Sequence, residues 1–336
     1  MSTLNTKVLK YKEMLEKFID TQDEQALYGA EKVTKSLIKE HILPEEIINI
    51  HIQAFGELFP DVNEEVTLGM NFLLETMIAY GMAHQENQVL RDKQHALESE
   101  ISVAAGMQNT LLGTKKPQIE GYDIGVISVP AHQMNGDYYH FVKGRDRSVG
   151  IAVADVKGKG VPAALCMSMI KYSMDSFPED AMTPSKILKN LNRVVERNVD
   201  PSMFITMFYT QLLPEEDKMI YASAGHEPGF YYHAKEQRFE EIEAKGLVLG
   251  VIPDFQYSEY ERHIEKGDMV ILLTDGVTES KIEDQFIKEN ELFDIIEKHV
   301  HLPAQKIVEH VYKDLERLQG FQLRDDFTLI IFKKEV

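Results

Sequence analysis

The chain has one cysteine, Cys166, which excludes an intrachain disulfide and fits a reducing compartment. It is poor in positive charge. Thirty-six Lys and Arg stand against 55 Asp and Glu, a formal net charge of −19, so the clustered basic residues that a phosphate backbone rewards are missing. That argues against a general nucleic-acid binder. Most of the charge reads as solvated surface, some of it open to quenching by bound metal. No uninterrupted run of about 18 apolar residues occurs, so no membrane span is expected, and Met1 to Lys10 lack the apolar core of a secretory signal. Neither GxGxxG nor GxxxxGK[ST] is present, so no glycine-rich nucleotide cradle is expected. The expectation is a cytoplasmic protein with neither a membrane nor a nucleic-acid partner.

What is present falls into two halves, as a length of 336 residues suggests. Residues 1–85 read as a helical bundle. Leu4, Val8, Tyr11, Leu15 and Phe18 step by three and four, and Ala26, Ala30, Val33 and Leu37 mark a second helix. Pro44-Glu45-Glu46 opens a third, carrying Ile47, His51, Ala54, Phe55 and Leu58, and Val66, Met70, Leu73, Met77 and Ile78 mark a fourth. No catalytic constellation stands out there. His51 reads as a packed residue, and the bundle as a dimerisation or partner-binding domain. Residues 86–118 read as a linker helix. Leu90, Leu97, Ala104 and Leu111 recur every seven, with Gln94, Ile101 and Gln108 at the other seam position, a short and weak coiled coil.

Residues 119–336 change period. Strands are expected at Tyr122 to Val129, Val149 to Asp155, Met203 to Leu212, Lys218 to Ala224, Gly229 to Tyr232, Met269 to Thr274 and Phe327 to Phe332. Helices are expected at Pro162 to Phe177, Pro184 to Asn198, Glu289 to Val300 and Pro303 to Leu318. Without strict βαβ alternation the class is α+β, a layered sandwich.

Four segments in this half each set an aspartate at the end of a strand-like run: Asp137 in N-G-D-Y-Y, Asp155 in A-D-V-K-G-K-G, Asp275 in L-T-D-G-V and Asp325 in R-D-D-F-T. If the fold gathers them, something positive must offset their repulsion. All-oxygen ligand sets suit hard cations such as Mg²⁺ or Mn²⁺, and two such ions holding a water hydrolyse phosphate esters. The plainer readings are a helix cap for Asp155 and a turn for Asp275-Gly276. Asp325 and Asp326 are adjacent, so in extended chain only one faces a shared site. Cys166 reads as packed core, and His226 as a turn residue or a proton donor.

In this order the segments Gly136-Asp137, Asp155-Val156-x-Gly158-x-Gly160, Ser223-Ala224-Gly225-His226, Thr274-Asp275-Gly276 and Asp325-Asp326-Phe327-Thr328 resemble the metal-dependent PP2C (PPM) serine/threonine phosphatases, in their SpoIIE-like bacterial branch. The resemblance covers about residues 119–336. It implies a PP2C-like α/β-β/α sandwich and two Mn²⁺ or Mg²⁺ ions. Asp155 would bridge them, the Val156 carbonyl would bind one, and Asp275 and Asp325 would complete the second site. Asp137 would hold a metal or its water, and Asp326, where asparagine is common, would support. Asn135 and His140 depart from the usual glycine and aspartate. The resemblance also implies a phosphorylated anti-anti-sigma factor as substrate, hence activation of a stress sigma factor. A kinase-like activator protein would bind the N-terminal domain of a homodimer. The alternatives are a catalytically degenerate regulator that binds phosphoproteins, and a helical scaffold with an incidental sheet domain.

Overall fold

The computed structural model describes residues 3–22, 28, 43–145, 147–158, 160–178, 183–200, 202–282, 285–321 and 323–335. The expected second helix, Ala26 to Leu37, lies outside the described residues. The chain divides into two compact units, Met1–Glu98 and Ser99–Val336, the division falling within the 86–118 segment.

In the first unit α1 (Thr3–Thr21) packs on α2 (Pro44–Leu58). Pro44 opens α2 with its fixed φ, and Glu45 and Glu46 complement the positive end of the helix. Ile50 and Ala54 are buried. The Tyr11 hydroxyl and His51 Nδ1 hydrogen-bond at 3.1 Å while His51 stacks on Phe55, so His51 is a packing residue. The next helix, α3, runs unbroken for 49 residues (Glu64–Leu112), and its residues 64–98 belong to this unit. Leu68, Phe72, Leu73, Leu90 and Leu97 are exposed along it. One 18-residue window of α3 is long and apolar enough, by length and composition, to cross a bilayer, and only 6% of that window is buried. This corrects the expectation that no such segment exists, because a run counted as unbroken apolar residues misses one interrupted by a few polar side chains.

The second unit holds two five-stranded antiparallel sheets. One contains β2 (Asp137–Lys143), β3 (Val149–Val156), β4 (Ile205–Leu213), β5 (Lys218–Ala224) and β8 (Tyr260–His263), in that spatial order. The other runs β1 (Tyr122–Val129), β12 (Phe327–Lys334), β9 (Met269–Leu273), β6 (Gly229–His233), β7 (Arg238–Ile242). A separate short pair is formed by β10 (Lys281–Ile282) and β11 (Gln285–Phe286). Alternation along the strands builds three layers of core. Ile151, Val153, Phe208 and Leu212 meet Tyr231, Val270, Leu272, Ile330 and Phe332 between the sheets. The intervening residues, Ala152, Ala154, Met207 and Tyr209, face outward under α4 (Val161–Asp175) and α5 (Pro184–Asn198). On the far side Ile271, Leu273, Leu329 and Ile331 lie under α7 (Glu289–Glu297) and α8 (Ala304–Leu318). The helices meet this pattern with stripes at three and four residues, Ile187, Leu188, Leu191 and Val195 on α5, and Ile307, Val308, Val311 and Leu315 on α8. Each such buried aliphatic side chain contributes about 1.5–3 kcal/mol. The result is the layered α+β sandwich expected from the sequence.

Within the two large sheets, β2, β7 and β8 were not expected. β7 and β8 are edge strands carrying Arg238, Glu240, Glu241, Glu261 and Arg262, the charged chemistry that blunts sheet edges and reads as loop. β2 starts at Asp137 and β12 follows Asp325, so these two aspartates precede or open their strands, whereas Asp155 and Asp275 stand at strand ends. This corrects the view that all four close a strand. The seam of the linker helix is also divided. Leu90 and Leu97 are exposed, while Ile101, Ala104 and Ala105 pack on Met134 and Ala164.

Candidate functional site

β3 is the centre of the site. It leaves the sheet at Asp155-Val156, and Gly158 and Gly160, at φ +135° and +75°, turn the chain into α4. Gly160 is the residue before the helix and no side chain caps it, so Asp155 is not a cap. From the other sheet β9 ends at Leu273, and Thr274 leads into the single turn α6 (Asp275–Thr278). An added Cβ at Gly276 would lie 1.9 Å from the Asp326 carbonyl oxygen. Only glycine therefore lets the Asp275 turn rest against the segment entering β12. The two sheet ends enclose a cavity of about 340 Å³ whose lining includes Asp155, Val156, Asp275, Asp325 and Asp326.

Asp137 is brought close but faces elsewhere. It is paired across the ladder with Asp155, yet it is not among the residues lining that cavity. Its buried carboxylate accepts the Thr274 hydroxyl at 2.6 Å. Thr274 Oγ1 in turn accepts the Thr328 N–H at 3.1 Å, so Asp137 sits on a junction between both sheets. Asp326 is also engaged: Oδ1 accepts the Ala131 N–H at 2.7 Å and Oδ2 accepts the Gly136 N–H. Behind Gly136, the Asn135 side chain accepts the Asp137 N–H at 2.9 Å and donates to Ser128 Oγ at 3.0 Å. Gln108 of α3 clasps the Asn135 backbone, donating to its carbonyl at 2.7 Å and accepting its N–H at 3.0 Å.

The electrostatics follow from burial and crowding. The Asp155 carboxyl is pushed up to about 7, by burial first and then by Asp275, Asp325 and Asp326. Asp137 is held well above the usual carboxylate range by burial, against the opposing hydrogen bonds of Thr274 and Thr328. His226 is lowered to about 4 by burial. Its Nδ1 bonds the Thr206 hydroxyl at 2.8 Å and its Nε2 the Leu273 carbonyl at 3.1 Å. Lys157 lines the cavity with its ammonium 4.8 Å over the Phe204 ring. Cys166 is buried in α4. His140 is buried against Asp175 at 2.8 Å.

The donor set of Asp155, Asp275, Asp325 and the Val156 carbonyl is all oxygen and fits a hard divalent cation. The raised Asp155 fits too, since burial and the charges of Asp275, Asp325 and Asp326 oppose its ionisation and a cation there would favour it. Among the described residues no three acidic or imidazole side chains stand close enough to grip one ion, so an ion would have to draw them inward.

Several cavity residues were not singled out from the sequence: Lys157, Phe204, Thr206 and Glu227. Glu227 was visible beside His226 in A-G-H-E-P. Thr206 carries no local signal, being placed by the register of β4 against β3, and neither does Phe204, which precedes β4 and whose carbonyl accepts the Lys157 N–H at 3.0 Å.

Residues 145–335 match the family described as Stage II sporulation protein E (SpoIIE), and residues 9–83 match Phosphoserine phosphatase RsbU, N-terminal domain. Phosphoserine phosphatase RsbU of Bacillus subtilis (strain 168) is 54% identical over 327 residues, covering 97% of each chain. Among solved structures, the SiaA-PP2C domain of Pseudomonas aeruginosa superposes with a TM-score of 0.60 at 18% identity, over 72% of this chain and 97% of that one. The structure of the PP2C phosphatase domain and a regulatory-domain fragment of Bacillus subtilis SpoIIE gives 0.54 at 15% identity, over 65% and 64%. These two structural likenesses establish the fold.

Proposed function

This chain belongs to the SpoIIE family of PP2C-type serine phosphatases, and on that premise we propose that the Asp155 cavity is where its phosphoserine substrate is hydrolysed. As an RsbU-like serine phosphatase it acts in a partner-switching pathway. The substrate in this reading is a phosphorylated anti-anti-sigma factor, and its dephosphorylation releases a stress sigma factor. One observation carries the reading: Asp155, Asp275 and the Asp325-Asp326 pair, from three distant segments, line one cavity at the end of two sheets, with Asp155 raised by burial and by these acidic neighbours.

Asp155, the Val156 carbonyl, Asp275 and Asp325 would hold Mn²⁺ or Mg²⁺. Such ions supply charge neutralisation for phosphoryl oxygens and an activated water. Asp326 orders the Ala131 and Gly136 amides, and Asp137 braces Thr274. Lys157 offers a positive charge to the incoming phosphate. The test is phosphate release from a phosphoserine protein with Mn²⁺, with EDTA, and from Asp155→Asn. Turnover undiminished by that substitution would overturn the reading.

The proposed regulation uses the first unit. The apolar residues exposed along α3 suit a second copy of the chain, giving a homodimer, and a kinase-like activator would bind the N-terminal domain. Packing of Ile101, Ala104 and Ala105 against Ala164 at the start of α4, and of Gln108 on Asn135, supports a route from the helix to the Asp155 and Asp137 loops.

A further inference from the structure

We infer that His226 is a positioning residue of the phosphatase centre and not its proton donor. It ties the strand opposite Asp155 to the strand end that carries Asp275. This rests on the reading of the cavity as the hydrolytic site.

β5 belongs to one sheet and β6 to the other, and Gly225 to Pro228 is the link between them. His226 is thus on a crossover between the two sheets, at the end where the carboxylates gather. Its backbone is fixed there, the N–H donating to Ser223 Oγ at 3.1 Å. The ring then bonds outward to both sheets. The Leu273 carbonyl can only accept, so Nε2 carries the proton in the 3.1 Å contact. On a neutral ring Nδ1 is then an acceptor, and the Thr206 hydroxyl donates to it at 2.8 Å.

Each partner is next to a proposed ligand. Thr206 is the cross-strand partner of Asp155 on β4, and Leu273 is two residues before Asp275. The imidazole therefore spans from the strand beside Asp155 to the strand end that leads into Asp275. Both nitrogens are committed to this tie, which leaves no N–H for a departing serine oxygen. A donor would have to break one bond and let the sheet ends move in the step where they must hold still. By contrast, a residue that fixes the orientation of ligand-bearing strands contributes to ion affinity before any substrate arrives.

The experiment uses the full chain and Mn²⁺ as the probe. Calorimetric Mn²⁺ titration without substrate, and the pH profile of kcat and KM, are measured for wild type, His226→Ala, His226→Gln, Thr206→Val and Asp155→Asn. For positioning, His226→Ala weakens Mn²⁺ binding by about 10–100-fold, the usual range for groups that orient ligands, and keeps both limbs of the pH profile. His226→Gln, whose amide reaches the Leu273 carbonyl, recovers part of the affinity. Thr206→Val, which keeps the histidine and the side-chain shape, gives a smaller loss in the same direction. If His226→Ala instead binds Mn²⁺ as wild type does and loses the basic limb of the profile, His226 is a proton donor and the inference is overturned. It is overturned as well if His226→Gln and Thr206→Val leave binding no different from His226→Ala and wild type respectively. Unchanged Mn²⁺ binding by Asp155→Asn overturns the metal-centre reading itself, whereas an impaired Asp155→Asn beside an unimpaired His226→Ala overturns the inference alone.

Discussion

Asp137, the first residue of β2, and Asp155, the penultimate residue of β3, are cross-strand partners whose carboxylates do different things. Asp137 is turned onto Thr274 and stitches the two sheets together. Asp155 lines the cavity among other acids. Folding thus places two carboxylates across one ladder, an arrangement that costs stability unless a cation or a proton intervenes.

That cost has a direction in pH. The folded-state pKa of Asp155, about 7, lies above its ordinary value of 3.8. Folded protein therefore holds a proton that the unfolded chain has already released. Stability without metal falls as pH rises from about 4 to about 7, because there the native state binds more protons. Thermal unfolding in EDTA should show this slope for wild type and a shallower one for Asp155→Asn. At pH 7 the inactive Asp155→Asn should be the more stable of the two without metal, and Mn²⁺ should close the gap by stabilising wild type alone. Parallel pH profiles in EDTA would count against the raised carboxyl.

The close approach at Gly276 gives a second expectation. A methyl group there meets the Asp326 carbonyl at 1.9 Å, and neither this backbone oxygen nor a Cβ fixed to the main chain can rotate out of the way. Relief requires the Asp275 turn to move away from Asp325 and Asp326. Overpacking of side chains costs about 1–3 kcal/mol, and a clash with a main-chain carbonyl, which only a backbone shift relieves, should exceed that. Gly276→Ala should lower the urea midpoint and abolish phosphate release, and a variant with wild-type turnover would show that the turn is not held in this position.

How much of this was legible in the sequence differs by element. α5 and β5 were legible to the residue, because Pro184 and Asn198 bound an amphipathic helix and Lys218 to Ala224 is a short apolar-rich strand. The acids of the cavity were legible as motifs beside glycines. The role of each was not, because register and burial divide the work. Nothing local says that Asp326 spends both oxygens on backbone amides, or that Asp137 turns from the cavity to Thr274. Gln108 was read as a polar flaw in a seam, and its partner lies 27 residues away on a loop.

Gln108 supports a third expectation. Its side chain is 3% exposed and makes two hydrogen bonds to the Asn135 backbone. Gln108→Leu preserves the volume and strands a buried N–H and C=O, at about 1–3 kcal/mol for each unsatisfied group. Gln108→Glu keeps an acceptor for the N–H but sets a buried carboxylate oxygen against the Asn135 carbonyl, so it should lose at least as much at neutral pH. Urea midpoints and basal turnover should fall below wild type in both variants. Equal midpoints for all three would remove the clasp from any account of how α3 reaches the Asp137 loop.

The proposed control of activity by helix order predicts opposite effects at two exposed positions of α3. Gly106 lies inside the helix with open space around an added methyl, so Gly106→Ala favours the helix by about 1 kcal/mol. If activator binding works by ordering this segment, that bias should raise basal turnover roughly fivefold, the population shift that about 1 kcal/mol allows. Leu97, 59% exposed on the same helix, suits contact with a second copy, and Leu97→Glu puts charge into that contact. It should abolish stimulation by the activator while leaving activator binding intact, as measured by calorimetry alongside the turnover assay. Gly106→Ala acts on the helix and Leu97→Glu on its partner, so the pair separates helix order from dimer contact. Wild-type basal turnover in the first variant together with full stimulation of the second would mean that the signal bypasses α3.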